Sequence, residues 1–232
     1  MTKYFILIVI IVAGLIIVGA IVITNNQKIS EKGIESVQPT EKDSVPKTEL
    51  AMEGEPYLGD PSSPVKIVYY GDFQCPFCKR IEQNTFSEVI EKYVDTGKAI
   101  FYFKNFQFLG PDSLTAGVAG ECLVSQAGGN FSSYWQWHNA MFERQDGENS
   151  GFGSAENIKS LVRELNLSGV DVIRFEECLD NQETLAEVQA DAQEGQENGV
   201  TGTPATFING KLIKGAQPFS AFQSAIEAEL SK

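Results

Sequence analysis

The sequence predicts an α/β domain in which two parts of one small sheet are separated along the chain by a block of helices, behind an N-terminal transmembrane helix. Three observations carry that reading. Residues 65–103 show a buried-strand pattern, then a helical pattern, then a second strand pattern. After residue 204 come a hairpin signal and a last amphipathic stretch. Between them, about ninety residues carry helical periodicity.

Taken in order, Tyr4 to Thr24 is an uninterrupted apolar run of 21 residues, long enough to cross a bilayer as a helix. A removed signal peptide is the alternative, but it would have a shorter apolar core and an Ala-x-Ala-like exit. Residues 1–3 carry the α-amino group and Lys3 without an acid. The positive-inside rule then places this leader in the cytoplasm and everything after about residue 25 outside. Residues 25–56 are mostly Lys, Glu, Ser, Thr, Gln and Pro, with only scattered apolar residues and no period, the composition of a flexible linker. The folded domain is expected over residues 57–232.

Val65–Tyr70 is apolar except for Lys66, as in a strand buried on both faces. From Pro76 the pattern turns helical, with Phe86, Val89, Ile90, Tyr93 and Val94 on one face until Gly97. Ala99–Phe103 reads as a second strand, so the three segments form a βαβ unit. Residues 111–199 read as the helical insertion. Ser113 is expected to cap its first helix, whose Leu114, Val118 and Cys122 recur every four residues. Asn130 or Ser132 begins the second, which bears Tyr134, Trp135, Trp137, Met141 and Phe142. Ser154 caps the third, with Ile158, Leu161, Val162 and Leu165 on one face. A fourth spans Asp171 to Leu179, and a fifth, Glu183–Glu197, is polar enough to be largely exposed. Ala205–Ile208 and Lys211–Lys214 flank Asn209-Gly210, the strongest short hairpin signal. Pro218 opens a last helix with Phe219, Phe222, Ile226 and Leu230 on one face.

Of the 232 residues, 42% are hydrophobic and 21% charged, which suits one globular domain with a proper core. A net charge of −13 argues against a nucleic-acid partner, because phosphate backbones need a basic face. Solubility and self-repulsion account for that charge.

Cys75-Pro76-Phe77-Cys78 sits between the first strand and its helix. Two cysteines at this spacing can close a small reversible disulfide, and a helix start favours the thiolate that performs exchange. The same spacing also fits half a zinc site or a permanent bridge. Zinc takes about four ligands, and only Cys122, Cys178 and His138 remain among cysteines and histidines, so no metal site is expected. His138 shares a helical face with Trp135 and Phe142 and reads as a packed side chain, with a place beside the active site as the alternative. If Cys75 and Cys78 form the redox pair, Cys122 and Cys178 are left on apolar helix faces. They are either two buried thiols or, as favoured in an exported domain, a structural disulfide. Such a bridge would close a loop of about 57 residues and stabilise the fold by about 4 kcal/mol.

Asp72-Phe73-Gln74-Cys75-Pro76-Phe77-Cys78, the segment from Tyr134 to Phe142, and the segment from Gly199 to Lys211 resemble the DsbA-like thiol:disulfide oxidoreductases. The likeness spans residues 57–230 and is greatest to the membrane-anchored bacterial branch of this thioredoxin-superfamily group. It implies a thioredoxin-like fold with an inserted helical domain, Cys75 as exposed nucleophile and Cys78 as its buried partner. Thr203-Pro204 resembles the family's cis-proline loop, whose backbone pairs with an extended substrate, although sequence alone favours a trans bond. In the active-site dipeptide Pro76-Phe77, phenylalanine replaces the histidine of the best-known members, which removes one source of thiolate stabilisation. The acid that members often carry six residues before the first cysteine is Tyr69 here. Asp72, the nearest acid, is therefore a candidate proton relay, or else a turn or capping residue.

The resemblance further implies an enzyme without a bound cofactor, anchored in a bacterial cell membrane by residues 4–24 with its catalytic domain outside. It would introduce disulfides into reduced or unfolded exported proteins and be reoxidised by a quinone-linked membrane partner of the DsbB or vitamin K epoxide reductase type. A reductase or isomerase of the same fold, or a non-catalytic chaperone or binding module, are the alternatives. A potential near about −270 mV would mark a reductase and one near about −120 mV an oxidase.

Overall fold

Residues 48–232 are described by a computed structural model. The expected leader, the transmembrane helix over 4–24 and the linker up to residue 47 lie outside the described residues. Among the described residues no helix is long and apolar enough to cross a membrane.

The elements are β1 (Tyr57–Leu58), β2 (Val65–Gly71), α1 (residues 76–94), β3 (Ala99–Asn105), α2 (Pro111–Val124), α3 (Ser132–Arg144), α4 (Ala155–Leu165), α5 (Val172–Asn181), α6 (Leu185–Glu197), β4 (Ala205–Ile208), β5 (Lys211–Lys214) and α7 (Phe219–Leu230). They build a thioredoxin-like α/β core with a helical insertion. The sheet order is β1-β3-β2-β4-β5. β2 and β3 run parallel, in register from Val65–Ala99 to Gly71–Asn105, and the other pairs are antiparallel. As a result the C-terminal end of β2, the end of β3 and the start of β4 meet at one edge, where the cysteines lie.

The central strands are buried on both faces except at Lys66, as their unbroken apolar runs require. One face carries the larger core, in which Phe86, Phe101, Phe103 and Phe73 pack with Trp137 of α3 and Phe222 of α7. The other carries Val68, Tyr70, Ile100, Tyr102, Phe106 and Phe207. Here α6 approaches the sheet through Gly195, where a Cβ would lie 3.0 Å from the rings of Phe106 and Tyr70. Asn209 and Gly210 both adopt positive φ, 45° and 81°, the conformation that a two-residue hairpin of right-handed twist needs.

Four details depart from expectation. β1, a two-residue strand, pairs with β3 where the sequence predicts only the start of the domain. α1 contains two wider π-turns, Glu82–Phe86 and Ile90–Val94. Ser113 does not cap α2: the helix starts at Gly110-Pro111, with Gly110 at φ 102°, and the Ser113 hydroxyl is buried on Asp72. The linker expected over 25–56 is packed where it is described. Leu50 and Met52 contact the smaller core, the Ala51 N–H donates to Glu194, and Glu55 pairs with Lys104 at 3.1 Å. Lys104, at the end of β3 and 2% exposed, is the physical reason. A buried ammonium needs acids around it, and it finds Glu55 together with Asp191 and Glu194 of α6. For the same reason α6, expected to be largely exposed, buries Asp191.

Candidate active site

Cys75 occupies the N-cap position of α1, in extended conformation (φ −76°, ψ 119°), and Pro76 follows at N1. Its carbonyl accepts the N–H groups of Cys78 and Lys79 at 3.0 and 3.1 Å. Its own N–H donates to the Asp72 carbonyl at 3.0 Å. The sulfur therefore sits over the unpaired N–H groups of the first turn, the place where a helix stabilises negative charge. Cys78 lies one turn further in, fully buried.

Both thiols are free, and their surroundings drive them apart. The Cys75 thiol is lowered to about 6, above all by the hydrogen bond from Cys78, against the effect of burial. The Thr203 side chain and the N–H groups of Cys78 and Phe77 add to that lowering. Burial first, and then the Cys75 sulfur, push the Cys78 thiol well above its ordinary value. One expectation is corrected: Cys75 is 4% exposed rather than open to solvent. Its sulfur lies 3.5 Å from the Thr203 carbonyl, against the cis Thr203-Pro204 peptide. The exposed member of the motif is Phe77, at 53%.

Asp72 is almost filled with donors. Oδ1 accepts the Gln74 N–H at 2.8 Å, while Oδ2 accepts the Phe108 and Leu109 N–H groups and the Ser113 hydroxyl at 3.0, 3.3 and 2.6 Å. Burial raises its carboxyl against these bonds. The side chain thus ties the β3–α2 loop to the approach to Cys75, and its main-chain N–H is the Asp72 group directed at the Cys78 sulfur. Gln145, after α3, braces the same turn through Nε2, which donates to the carbonyls of Phe73 and Cys75. Nothing local in the sequence points to Gln145.

His138 is fully buried among Phe73, Phe103, Trp135 and Phe142, with ring centroids 4.7–5.6 Å away. Burial lowers it to about 3, so the ring is neutral. Below Cys78 lie two groups the motif does not announce. Tyr69 is fully buried, and its hydroxyl aims at the Cys78 sulfur without reaching full hydrogen-bond geometry. Glu82 follows Cys78 by four residues on the same helix and is raised to about 8 by burial. The i, i+4 spacing was a legible signal for Glu82. Elsewhere, Cys122 of α2 and Cys178 of α5 are joined in a disulfide, their Cα atoms 5.9 Å apart.

A dithiol with one low and one high proton affinity at a helix start can exchange disulfides. Comparison with known proteins agrees. The family model described as thioredoxin matches residues 51–228. A Bacillus anthracis protein named probable disulfide bond formation protein D is 32% identical over 224 residues, 95% of this chain and 93% of its own. Disulfide bond formation protein D of Bacillus subtilis strain 168 is 27% identical over 78% of this chain and 79% of its own. The crystal structure of oxidised BdbD from Bacillus subtilis matches with a TM-score of 0.71 at 27% identity, covering 78% of this chain and 96% of that one. Wolbachia pipientis alpha-DsbA1 shares the fold, with a TM-score of 0.65 at 23% identity over 78% of this chain and 94% of its own.

Proposed function

The chain belongs to the thioredoxin family and, within it, to the DsbA-like protein disulfide oxidoreductases, and we propose that it works as a dithiol oxidase for exported proteins. The observation that carries this reading is the asymmetry between Cys75, held largely as thiolate near neutral pH, and Cys78, held as a buried thiol. Stabilising the Cys75 thiolate stabilises the reduced enzyme, which makes its disulfide the stronger oxidant. The names of the Bacillus relatives, disulfide bond formation proteins, favour the same direction.

In the reaction, a substrate thiolate attacks Cys75 Sγ of the Cys75–Cys78 disulfide. The S–S bond breaks, and Cys78 leaves with the electron pair and gains a proton. A second substrate thiolate then attacks the substrate sulfur of the mixed disulfide and expels Cys75 as a thiolate. The substrate leaves with a disulfide and the enzyme as a dithiol. The Thr203 main chain, beside the Cys75 sulfur, is where an extended substrate would pair as an added strand. Exposed Phe77 and Phe108, the latter 55% exposed and tied to Asp72 through its N–H, offer apolar contacts for an unfolded chain. The Cys122–Cys178 bridge keeps the chain's other two cysteines out of the exchange.

The apolar run over residues 4–24 supports a single-pass anchor in the bacterial membrane with the catalytic domain outside, where disulfides persist. A membrane-held dithiol needs an electron acceptor within reach, and a quinone-linked membrane protein of the DsbB or vitamin K epoxide reductase type fits that need. The test is oxidation of a reduced, unfolded substrate by the full-length chain. Cys75→Ala should abolish it with the fold intact, and the wild-type potential should lie nearer about −120 mV than about −270 mV. Undiminished oxidation by Cys75→Ala would sink the assignment.

A further inference from the structure

We propose that Glu82 and His138 bind a zinc ion at the cleft between α1 and α3, joining the helix that starts at Cys75 to the helical insertion. Such a site is separate from the exchange chemistry and exists whichever way the two cysteines work.

Two polar atoms that lack hydrogen-bond partners face each other there, Glu82 Oε1 and His138 Nε2, 3.5 Å apart. Groups like these are rare in a folded interior and call for a reason. A direct hydrogen bond would bring them to about 2.7–3.2 Å. Zinc bonds of about 2.0–2.2 Å, set at the tetrahedral angle, hold a nitrogen and an oxygen ligand about 3.3–3.5 Å apart. The observed separation matches the edge of such a tetrahedron.

The imidazole is already arranged as a ligand. It is fully buried and wedged among Phe73, Phe103, Trp135 and Phe142, which fix the plane of the ring. Burial keeps it neutral, the state in which it can bind a metal. Its Nδ1 lies 3.2 Å from Asn139 Oδ1. An amide oxygen accepts, so Nδ1 carries the proton and Nε2 keeps its lone pair toward Glu82. Metal-binding histidines are held in this same way, by donating the other ring N–H to an oxygen.

Glu82 supplies the charge. It is the first residue of the wide turn Glu82–Phe86 in α1, and its side chain is 12% exposed. Glu55 and Asp191, the acids beside β3, have the Lys104 ammonium between them. Among the described residues no Lys or Arg forms an ion pair with Glu82, and burial alone raises it to about 8. The other titratable groups around it are Tyr69 and Tyr134, whose hydroxyls its charge raises, and Glu143 of the same cleft. That cleft, about 260 Å³, is lined by Glu82, Gln83, Ser87, Asn139 and Glu143 and gives an ion its way in. The two remaining positions of the tetrahedron are left to water or to the Glu143 carboxylate. One imidazole with so few oxygens suits zinc, whereas calcium and magnesium take six or more oxygen ligands. Cysteine and histidine spacing gives no sign of this site, because its carboxylate comes from another helix.

The test uses the full-length chain without an affinity tag, stripped of metal by a chelator. It is held in the Cys75–Cys78 disulfide form, so that no thiol can take the ion. Titration calorimetry near pH 7 should show zinc binding at this site with about one proton released as Glu82 ionises. His138 is the only histidine, so nitrogen NMR follows its ring without overlap. Zinc should shift Nε2 and leave Nδ1 protonated. Glu82→Gln and His138→Gln should each weaken binding at least about tenfold, and Asn139→Ala about tenfold. Glu121→Gln, in the acidic group beside Lys104, should bind as the wild type does. Zinc should also raise the thermal midpoint of the wild type but not that of Glu82→Gln. Failure to bind zinc, or His138 nitrogen signals unmoved at saturating zinc, would overturn the site. Should a variant not fold, the His138 signals of the wild type decide alone. None of these outcomes touches the oxidase reading, which activity retained in Cys75→Ala would refute instead.

Discussion

Two sulfurs one helical turn apart hold protons of very different affinity, and single contacts account for the difference. Cys75 receives hydrogen bonds from Cys78 and from first-turn N–H groups, whereas Cys78 is shut in with only Tyr69 and the Asp72 N–H directed at it. The reduced protein should therefore show thiolate ultraviolet absorbance with a midpoint near pH 6 that is missing in Cys75→Ala. A midpoint at the ordinary thiol value would refute the assignment. The same shift has a sign in stability. Between about 6 and 9 the unfolded chain keeps a Cys75 proton that the folded chain has lost, so the contribution grows with pH over that window and is lost as pH falls through about 6. Cys78 works in the opposite sense, favouring the fold until pH rises past the ordinary thiol value.

At the scale of elements, the helical block is tied to itself by one covalent bond, between α2 and α5. The two cysteines are 56 residues apart, so removing the bridge frees a long loop in the unfolded chain. Cys122→Ala/Cys178→Ala should lower stability by roughly 4 kcal/mol in urea denaturation while leaving exchange at Cys75 intact. A loss under about 1 kcal/mol would show that packing alone holds α2 against α5. The elements themselves were legible where a local signal decided them. The βαβ unit followed from two apolar runs around an amphipathic one, the hairpin from Asn209-Gly210, and two helix starts from Ser154 and Asp171, which do accept N–H groups of their first turns. Ser113 misled because a hydroxyl caps a helix or bonds sideways equally well, and Asp72 across the loop won it. Gln145 and the packed arm around Glu55 could not be read locally, since their partners are Phe73, Cys75 and Lys104, far away in sequence. Tyr69 was legible as a missing acid, but that Glu82 stands near it became visible only once β2 and α1 were packed together.

Across the whole molecule, the net charge of −13 is partly held in check by protons kept on buried acids. Glu55, Glu121 and Asp191 offer carboxylate oxygens within 4.8 Å of one another. Lys104 contacts Glu55 and Asp191 directly, and Asn105 donates to Glu121. Burial raises Glu55 to about 9 and Glu121 to about 8, with the charge of Asp191 adding to both, and burial alone raises Glu82 to about 8. Their ordinary value is 4.5, so between that and 8–9 the folded chain holds protons the unfolded chain has lost. Their contribution is complete below about 4.5 and disappears as pH climbs through 8–9. Glu229, held near 2 by Lys232 and its other partners, has the reverse sign, and its contribution fades only as pH falls below the ordinary value. The Cys75–Cys78 disulfide form, with no free thiols to titrate, should therefore be more stable near pH 5 than near pH 9, by several kcal/mol in denaturant midpoints. Lys104→Met sharpens the test. It leaves the surrounding carboxylates without their ammonium, so it should cost about 3 kcal/mol or more near neutral pH and lose further ground as pH rises and Glu55 ionises. A Lys104→Met protein matching the wild type at both pH values would show that Lys104 does not hold the arm and α6 to the sheet.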